Sequence, residues 1–188
     1  MKTIYLFSFL LAASIIACTP KSETLVKTAE ISPADQISKG EYLVTVSGCN
    51  DCHSPKVMTA MGPVFDTLRL LSGHPADEQL PPFDKEILKS YVLFNMNNTA
   101  AVGPWGTSFA ANLTSDQTGI GTWTEDQFIR AMKHGKWKGL ENSRNLLPPM
   151  PWQGYSQMPD EDLKAIFAYL KSTKPVNNSV PMAIPPVE

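Results

Sequence analysis

The feature that most constrains this chain is a C-x-x-C-H motif at residues 49–53. Cys49 and Cys52 are one helical turn apart, so their thiols project from the same side of a short helix. His53 follows at once, and its imidazole is a strong metal ligand. Two thiols at this spacing can each add across a vinyl group on one edge of a haem, and the histidine then ligates the iron. We therefore predict one covalently attached haem c with His53 as an axial ligand.

Three other interpretations of residues 49–53 stay open on the sequence alone. A zinc site needs a second cluster of cysteines or histidines at metal spacing, and the sequence contains no such cluster. A thiol–disulfide oxidoreductase needs a strand–helix–strand pattern around the cysteine pair, and that pattern is not visible. The third alternative is a chance match. The signs of export, an amphipathic helix just upstream and a suitable distal ligand all favour haem.

The N-terminus has the pattern of an exported lipoprotein. A positively charged start is followed by an apolar run at 4–16, which is short for a membrane-spanning helix. Residues 15–18 read I-I-A-C and resemble the lipobox of bacterial lipoproteins, in which the signal is cut before a cysteine that receives a diacylglycerol. An ordinary signal peptide with a chance cysteine is the alternative. We expect a signal peptide over 1–17, a lipidated Cys18 and a flexible tether over 18–32.

The cysteine count agrees with this assignment. The chain has three cysteines, and a lipid on Cys18 with a haem on Cys49 and Cys52 leaves no free thiol in an exported protein. Thr19, rather than an aspartate, follows the first cysteine. By analogy with Gram-negative lipoproteins, this favours the outer membrane. We expect a lipid-anchored protein of the cell envelope that faces the periplasm.

The segment before the motif is predicted to be a helix that starts at Ser32, with Pro33 in its first turn. Gly40 lies in the middle of this helix, where a glycine costs about 1 kcal/mol relative to alanine. Such a glycine indicates a close approach by another helix, and Tyr169 of the last helix is a candidate neighbour. The apolar positions of the first helix are Ile37, Tyr42, Leu43 and Val46.

Two further helices are predicted downstream. The middle helix begins at Thr124, where Gln127 completes a capping box. The last helix begins at Pro159, and its apolar positions recur with helical spacing. These positions are Leu163, Ile166, Phe167 and Leu170.

With these elements the chain resembles the class I c-type cytochromes, in their bacterial lipoprotein form. In that family a first helix leads into C-x-x-C-H, a last helix crosses it, and a loop brings a methionine to the far side of the iron. The resemblance covers about residues 34–173, and the three motif residues match one by one. Segment 112–126 also resembles bacterial cytochromes that serve membrane dehydrogenases, including multi-haem subunits, although this chain has a single C-x-x-C-H. The resemblance implies a mainly α, cytochrome c-like helical domain over 33–174 around one covalent haem.

The 16 prolines predict long ordered loops rather than a sheet-rich domain. Segment 55–111 is longer than a minimal cytochrome needs, and such an excursion usually has a structure or a function of its own. Two short apolar stretches at 91–94 and 105–111 predict a small β-hairpin there. Residues 175–188 are predicted to be a Pro-rich tail that is extended or disordered.

The predicted distal ligand of the iron is Met150. Pro149 and Pro151 flank it, and prolines stiffen the backbone and remove competing donors. This methionine also lies between the middle and last helices, where the family places its ligand. Met158 and His74 are the alternatives: Met158 is expected in the core at a helix start, and His74 on the surface or as a residue that pins a loop.

Histidine–methionine ligation raises the haem potential and leaves no open coordination site. Both properties suit an electron carrier, so we predict a mono-haem c-type cytochrome that is not itself an enzyme and meets redox partner proteins of the cell envelope. The alternative is a dedicated haem subunit of a membrane dehydrogenase or oxidase complex. The formal net charge is −2 and no basic stripe is present, so nucleic acid is not an expected partner.

Overall fold

The computed structural model describes residues 31–186. Within that range, none of the helices combines the length and the apolar character needed to cross a membrane. Residues 31–186 form five α-helices, two short 3₁₀ turns and five short strands. They are α1 (Pro33–Val46), α2 (Cys49–His53), β1 (Lys56–Thr59), β2 (Gly62–Phe65), a 3₁₀ turn (Lys85–Lys89), β3 (Leu93–Phe94), β4 (Ala100–Gly103), β5 (Gly106–Phe109), α3 (Glu125–His134), a second 3₁₀ turn (Trp137–Gly139), α4 (Trp152–Tyr155) and α5 (Asp160–Ser172).

Helix α1 begins as the sequence predicts, because the Ser32 side chain accepts a hydrogen bond from the backbone N–H of Asp35 at 3.2 Å. Only two of its four predicted apolar positions face inward: Leu43 packs against the core and Ile37 is half-buried. Val44 is fully buried, whereas Tyr42 and Val46 are 65% and 59% exposed. The apolar residues of α1 are spread around the helix, so their spacing alone does not select the face that packs.

The face of α1 that packs is the one that carries Gly40. A Cβ atom at Gly40 would lie 2.0 Å from the Ala165 carbonyl oxygen and 2.7 Å from the Cβ of Tyr169. Both neighbours belong to α5. The predicted close approach of the last helix is therefore present, and the nearest group is the Ala165 carbonyl rather than the Tyr169 side chain.

Helix α3 has the predicted capping box, with the Thr124 and Gln127 side chains each accepting from the other residue's backbone N–H. Helix α5 follows Pro159, as predicted. The helices and two loops together bury one apolar core. Its buried members are Val44, Leu71, Ile120, Phe128, Met132, Leu163, Ile166 and Leu170.

The segment between α2 and α3 forms two small antiparallel sheets. Strands β1 and β2 make a hairpin in which Lys56 pairs with Phe65. In the second sheet the order is β3-β4-β5, and β4 is central. The predicted hairpin joined 91–94 to 105–111, but both of these segments pair with β4 instead. The apolar patterns missed β4 because its buried residues are mostly small.

Candidate haem site

One cavity of about 620 Å³ is lined by residues from most parts of the described chain. Its volume lies within the range of about 300–1,000 Å³ that is usual for sites that hold a cofactor or small ligand. Most of its lining is apolar. The walls come from α2, β4, β5, the segment before α3, α3 itself, the Met150 loop and residues 179–183 after α5.

Helix α2 presents its two cysteines to this cavity. Gly48 precedes α2 with φ of +70°, a left-handed conformation that glycine adopts without strain, and this turn separates α2 from α1. Cys49 and Cys52 both line the cavity and are not joined by a disulfide. Burial raises the pKa of Cys49 to about 11 and also raises the pKa of Cys52. Both side chains are therefore neutral thiols near pH 7, one helical turn apart on the same wall.

His53, the last residue of α2, is oriented by a backbone carbonyl. Its Nδ1 donates a hydrogen bond to the carbonyl oxygen of Ala111 at 2.7 Å. A carbonyl oxygen only accepts, so Nδ1 carries the proton and Nε2 of the neutral ring keeps its lone pair. Burial lowers the pKa of His53, against a smaller opposing effect of this bond. A neutral imidazole that is fixed through its other ring nitrogen is typical of a metal-ligating histidine.

The loop before β4 holds α2 from outside. Asn98 Nδ2 donates to the Asp51 carbonyl oxygen at 3.1 Å and lies 3.6 Å from Cys52 Sγ. Lys56 Nζ donates to the same Asp51 oxygen at 2.7 Å and to the Asn97 carbonyl oxygen at 2.6 Å. The long segment after the motif therefore braces the turn that carries both thiols.

Met150 lines the same cavity as His53. Its loop is fastened on both sides, because Ser108 Oγ of β5 donates to the Pro148 carbonyl oxygen at 2.6 Å and the Trp152 N–H donates to the Met150 carbonyl oxygen at 2.9 Å. Pro151 stands between Met150 and α4. The loop thus places a thioether in a cavity that also carries an imidazole and two thiols. Ligation of iron by Met150 stays a prediction.

His74 lies outside the cavity and is held by hydrogen bonds of its own. It is fully buried, its Nδ1 lies 2.9 Å from Thr99 Oγ1, and its Nε2 lies 3.4 Å from the Glu78 carbonyl oxygen. Its ring also packs on Phe109 at 4.7 Å between centroids. Among the histidines, all of which lie in the described range, only His53 lines the cavity. His74 therefore pins a loop, and the alternative of a surface position is wrong.

The other methionines of the described range lie at different places, and Met182, in the segment after α5, also lines the cavity although it is 66% exposed. Met158 packs against the apolar core and is not part of the cavity wall, as expected for a residue at a helix start. Met132 is buried and reaches the wall from α3. Met58 and Met61 are 59% and 95% exposed on the β1–β2 hairpin.

Sequence reasoning missed several residues of this site. Trp137, Lys138 and Arg144 line the cavity, with Lys138 Nζ 4.8 Å and the Arg144 guanidinium 5.1 Å from the Trp137 ring centre. The Ala111 carbonyl that orients His53 was also missed, because a backbone acceptor has no signature in the sequence. For Trp137, Lys138 and Arg144, the one available signal in the sequence was that two cationic residues lie within seven positions of a tryptophan.

The alternatives to haem gain no support in the described part of the chain. Within residues 31–186, no group of three or more histidine, cysteine, aspartate or glutamate side chains is placed to hold a metal ion. The cysteine pair follows a helix and precedes a β-hairpin, which is not the strand–helix–strand setting of a thiol–disulfide oxidoreductase.

Comparison with known proteins finds several cytochrome subunits of dehydrogenases. No family model matches the chain. The cytochrome c subunit of gluconate 2-dehydrogenase from Pantoea cypripedii is 31% identical over 134 residues, which are 71% of this chain and 22% of that protein. The fructose dehydrogenase cytochrome subunit of Gluconobacter japonicus is 28% identical over 147 residues, 77% of this chain and 23% of the relative. The cytochrome c subunit of alcohol dehydrogenase (quinone) from Gluconobacter oxydans is 27% identical over 152 residues, 79% of this chain and 24% of the relative.

This chain is homologous to cytochrome c subunits of dehydrogenases. The predicted kinship with c-type cytochromes is thereby confirmed. The chain spans less than a quarter of the length of each of these cytochrome subunits. The predicted signal peptide over 1–17, the lipidated Cys18 and most of the predicted tether lie outside the described residues.

Proposed function

We propose that the chain is a mono-haem c-type cytochrome that carries single electrons in the cell envelope. The observation that carries this proposal is the set of side chains that line one cavity. Two neutral thiols, an imidazole oriented by the Ala111 carbonyl and a thioether from a proline-braced loop meet around the same space. These are the groups that would hold a haem c: Cys49 and Cys52 by thioether bonds, and His53 and Met150 at the iron.

Each of these residues has a separate part in the proposed function. Bound haem supplies an iron that changes reversibly between two oxidation states. The Ala111 carbonyl keeps the proton of His53 on Nδ1, so that Nε2 is available as a ligand in the neutral ring. A neutral thioether from Met150 would be the second protein ligand of the iron and would favour the ferrous state. An iron held by two protein side chains would exchange electrons without binding oxygen, which is why we propose a carrier and not an enzyme.

The cationic part of the wall supports the same assignment. Lys138 and Arg144 are exposed at the cavity beside Trp137. Haem carries two carboxylates on an otherwise apolar ring system, and a mostly apolar cavity with cations at one place matches that distribution. The fold we propose is correspondingly that of class I cytochromes, supported by the helix crossing at Gly40, the motif on α2 and the methionine loop before α5.

The relatives favour a second candidate, a dedicated haem subunit of a membrane dehydrogenase complex. Their names describe subunits of gluconate, fructose and alcohol dehydrogenases. The β1–β2 hairpin, which leaves α2 directly, has no charged residue between 57 and 65 and exposes several apolar side chains. Exposed apolar surface of this kind is typical of interaction sites. These side chains are Val57, Met58, Met61, Val64 and Phe65.

Electron exchange is tested by a spectroscopic redox titration of the purified protein. We expect a low-spin haem spectrum that converts reversibly between two forms with one electron per chain. Absence of haem would overturn the carrier assignment, and so would a reduced protein whose spectrum changes because it binds oxygen. Purification of the natural protein from membranes then separates the two candidates, since a subunit should elute with a catalytic dehydrogenase chain and a carrier should elute alone.

The location is a separate proposal with its own test. We propose that a signal peptide over 1–17 is removed and that Cys18 carries a lipid which holds the protein at the membrane, facing the periplasm. The motif at residues 15–18 supports it. Intact mass of the detergent-extracted protein should show a chain that begins at Cys18 with a diacylglyceryl addition, and a soluble form with another N-terminus would contradict it.

A further inference from the structure

The chain that follows α5 is fastened to the domain at Asn178. The Asn178 side chain donates to the carbonyl oxygens of Ser72 and His74 at 2.7 and 2.8 Å, and it accepts from the Ala76 N–H at 2.9 Å. Its own N–H donates to Thr118 Oγ1 at 2.9 Å. All of the hydrogen-bonding groups of this amide side chain are used, although the predicted tail was expected to be extended or disordered.

A second fastening lies six residues further on. Ile184 and Thr107 of β5 exchange two backbone hydrogen bonds, at 2.8 and 2.9 Å. Gly106 makes room for this pairing, because a Cβ atom there would lie 2.1 Å from the Ile184 carbonyl oxygen. The stretch between Asn178 and Ile184 is therefore held at both ends against different parts of the domain.

All five residues between the two fastenings line the cavity. They carry no charge, and Val180, Pro181 and Ala183 are half-buried. An uncharged stretch with apolar side chains turned partly inward suits contact with an apolar ring system. We name residues 179–183 the C-terminal strap.

We propose that the C-terminal strap is a wall of the haem site and that Asn178 is the positioning residue that keeps it there. The inference rests on the proposed function. By covering part of the cavity, the strap excludes water from the bound group. Water stabilises the more highly charged ferric state, so a closed strap raises the reduction potential. The Asn178 amide acts through the strap and does not itself line the cavity.

The test compares Asn178→Ala with Asn142→Ala, the same change at an exposed asparagine in the turn before Arg144. Covalent haem content is scored first, then the reduction potential and the amide exchange of residues 179–184. Loss of three side-chain hydrogen bonds should speed exchange in this stretch by roughly tenfold or more. The potential of Asn178→Ala should fall, and Asn142→Ala should match the wild type in both measurements.

A second variant acts on the other fastening. Ile184→Pro removes the N–H that donates to the Thr107 carbonyl oxygen and leaves the cavity residues unchanged. Like Asn178→Ala, it should lower the reduction potential and speed the amide exchange of the strap. If Asn178→Ala yields no holoprotein, Ile184→Pro decides the question.

A measurement without strap variants completes the test. Exchange of the strap amides in the wild-type holoprotein should be slower than in haem-free protein made by replacing both motif cysteines with alanine. Equal exchange in these two forms, or holoprotein variants with unchanged potential, would overturn the strap proposal while the haem assignment stands. A wild type that holds no haem would instead overturn the proposed function.

Discussion

The cavity wall that carries His53 and the wall that carries Met150 are held by different kinds of interaction. His53 ends a turn of helix whose backbone is hydrogen-bonded, its ring is fixed at 2.7 Å by the Ala111 carbonyl, and both thiols belong to the same turn. Met150 lies in a loop that prolines stiffen and that Ser108 reaches at Pro148. The first wall is built to hold a group in place. On the proposed function, the second would set the properties of that group, so we expect substitutions on the two walls to have effects of different kinds.

The largest effect is expected on the His53 wall. His53→Ala removes the imidazole that the Ala111 carbonyl orients and that we propose as an iron ligand, so we expect loss of nearly all low-spin haem protein. The measurement is the haem absorption of equal amounts of purified chain. His134→Ala, at the exposed end of α3, is the matched control and should bind haem normally. Equal haem spectra in His53→Ala and His134→Ala would contradict the role of the His53 wall in holding the haem.

On the Met150 wall, Met150→Ala should keep the haem and change its properties. A thioether favours ferrous iron, so its loss should lower the potential, abolish the weak red band of oxidised methionine-ligated haem and admit imidazole or cyanide. Met158→Ala is the control, because that side chain packs against the core away from the cavity. The reverse pattern would assign the ligand to Met158, and a red band that survives both changes would assign it to another methionine.

The position of the His53 wall depends on the crossing of α1 and α5, and Gly40→Ala tests this dependence. The added Cβ would meet the Ala165 carbonyl at 2.0 Å, so the helices must separate, and we expect a loss of about 1–3 kcal/mol in the free energy of unfolding. Denaturant unfolding measures it. Gly154→Ala is the control, since its Cβ would have no neighbour within 4 Å, and its effect should stay below about 1 kcal/mol. Similar losses in both variants would contradict the close crossing.

The smallest effect concerns His74, which lies in the segment after the motif, and the pH dependence of the free energy of unfolding. Burial lowers the pKa of His74, an effect that the charge of Glu78 opposes only in part, so the folded state keeps this ring neutral where the unfolded state takes up a proton. Stability should therefore fall as the pH is lowered through about 6.5, the ordinary histidine value, by no more than about 1.4 kcal/mol per pH unit.

Variants of His74 and of a control position show whether His74 causes the change of the free energy of unfolding with pH. His74→Gln should flatten the dependence of the free energy of unfolding between pH 7 and pH 5. Asn142→Ala, an exposed change that removes no titratable group, should leave it as in the wild type. The measurement is denaturant unfolding at a series of pH values. An unchanged slope in His74→Gln would assign the pH dependence to other groups.

Features that depend on a few neighbouring residues could be predicted from the sequence. The cap at Ser32, the capping box at Thr124 and the helix start after Pro159 obey local rules, and all three are present. Gly40 could be singled out because a glycine inside a helix is unfavourable unless something lies close to it. The motif itself has a fixed spacing with a chemical cause.

Features that depend on distant pairings could not be predicted. The partner of His53 is a backbone carbonyl 58 residues away, and Asn178 reaches carbonyls more than 100 residues away. Neither acceptor carries a side-chain signature. Strand β4 was missed because its small buried residues lack a strong apolar pattern. Two of the apolar positions predicted for α1 were wrong, because Tyr42 and Val46 are apolar yet exposed.

The central claim is that one haem is joined to Cys49 and Cys52 inside the cavity. It is tested most directly by intact mass spectrometry of the purified protein after extraction with acidified organic solvent, which removes haem that is not covalently bound. We predict a chain that retains the mass of one haem, and complete loss of that mass when both cysteines are replaced by alanine. A wild-type chain that has the mass of the polypeptide alone after extraction, or two haems per chain, would contradict it.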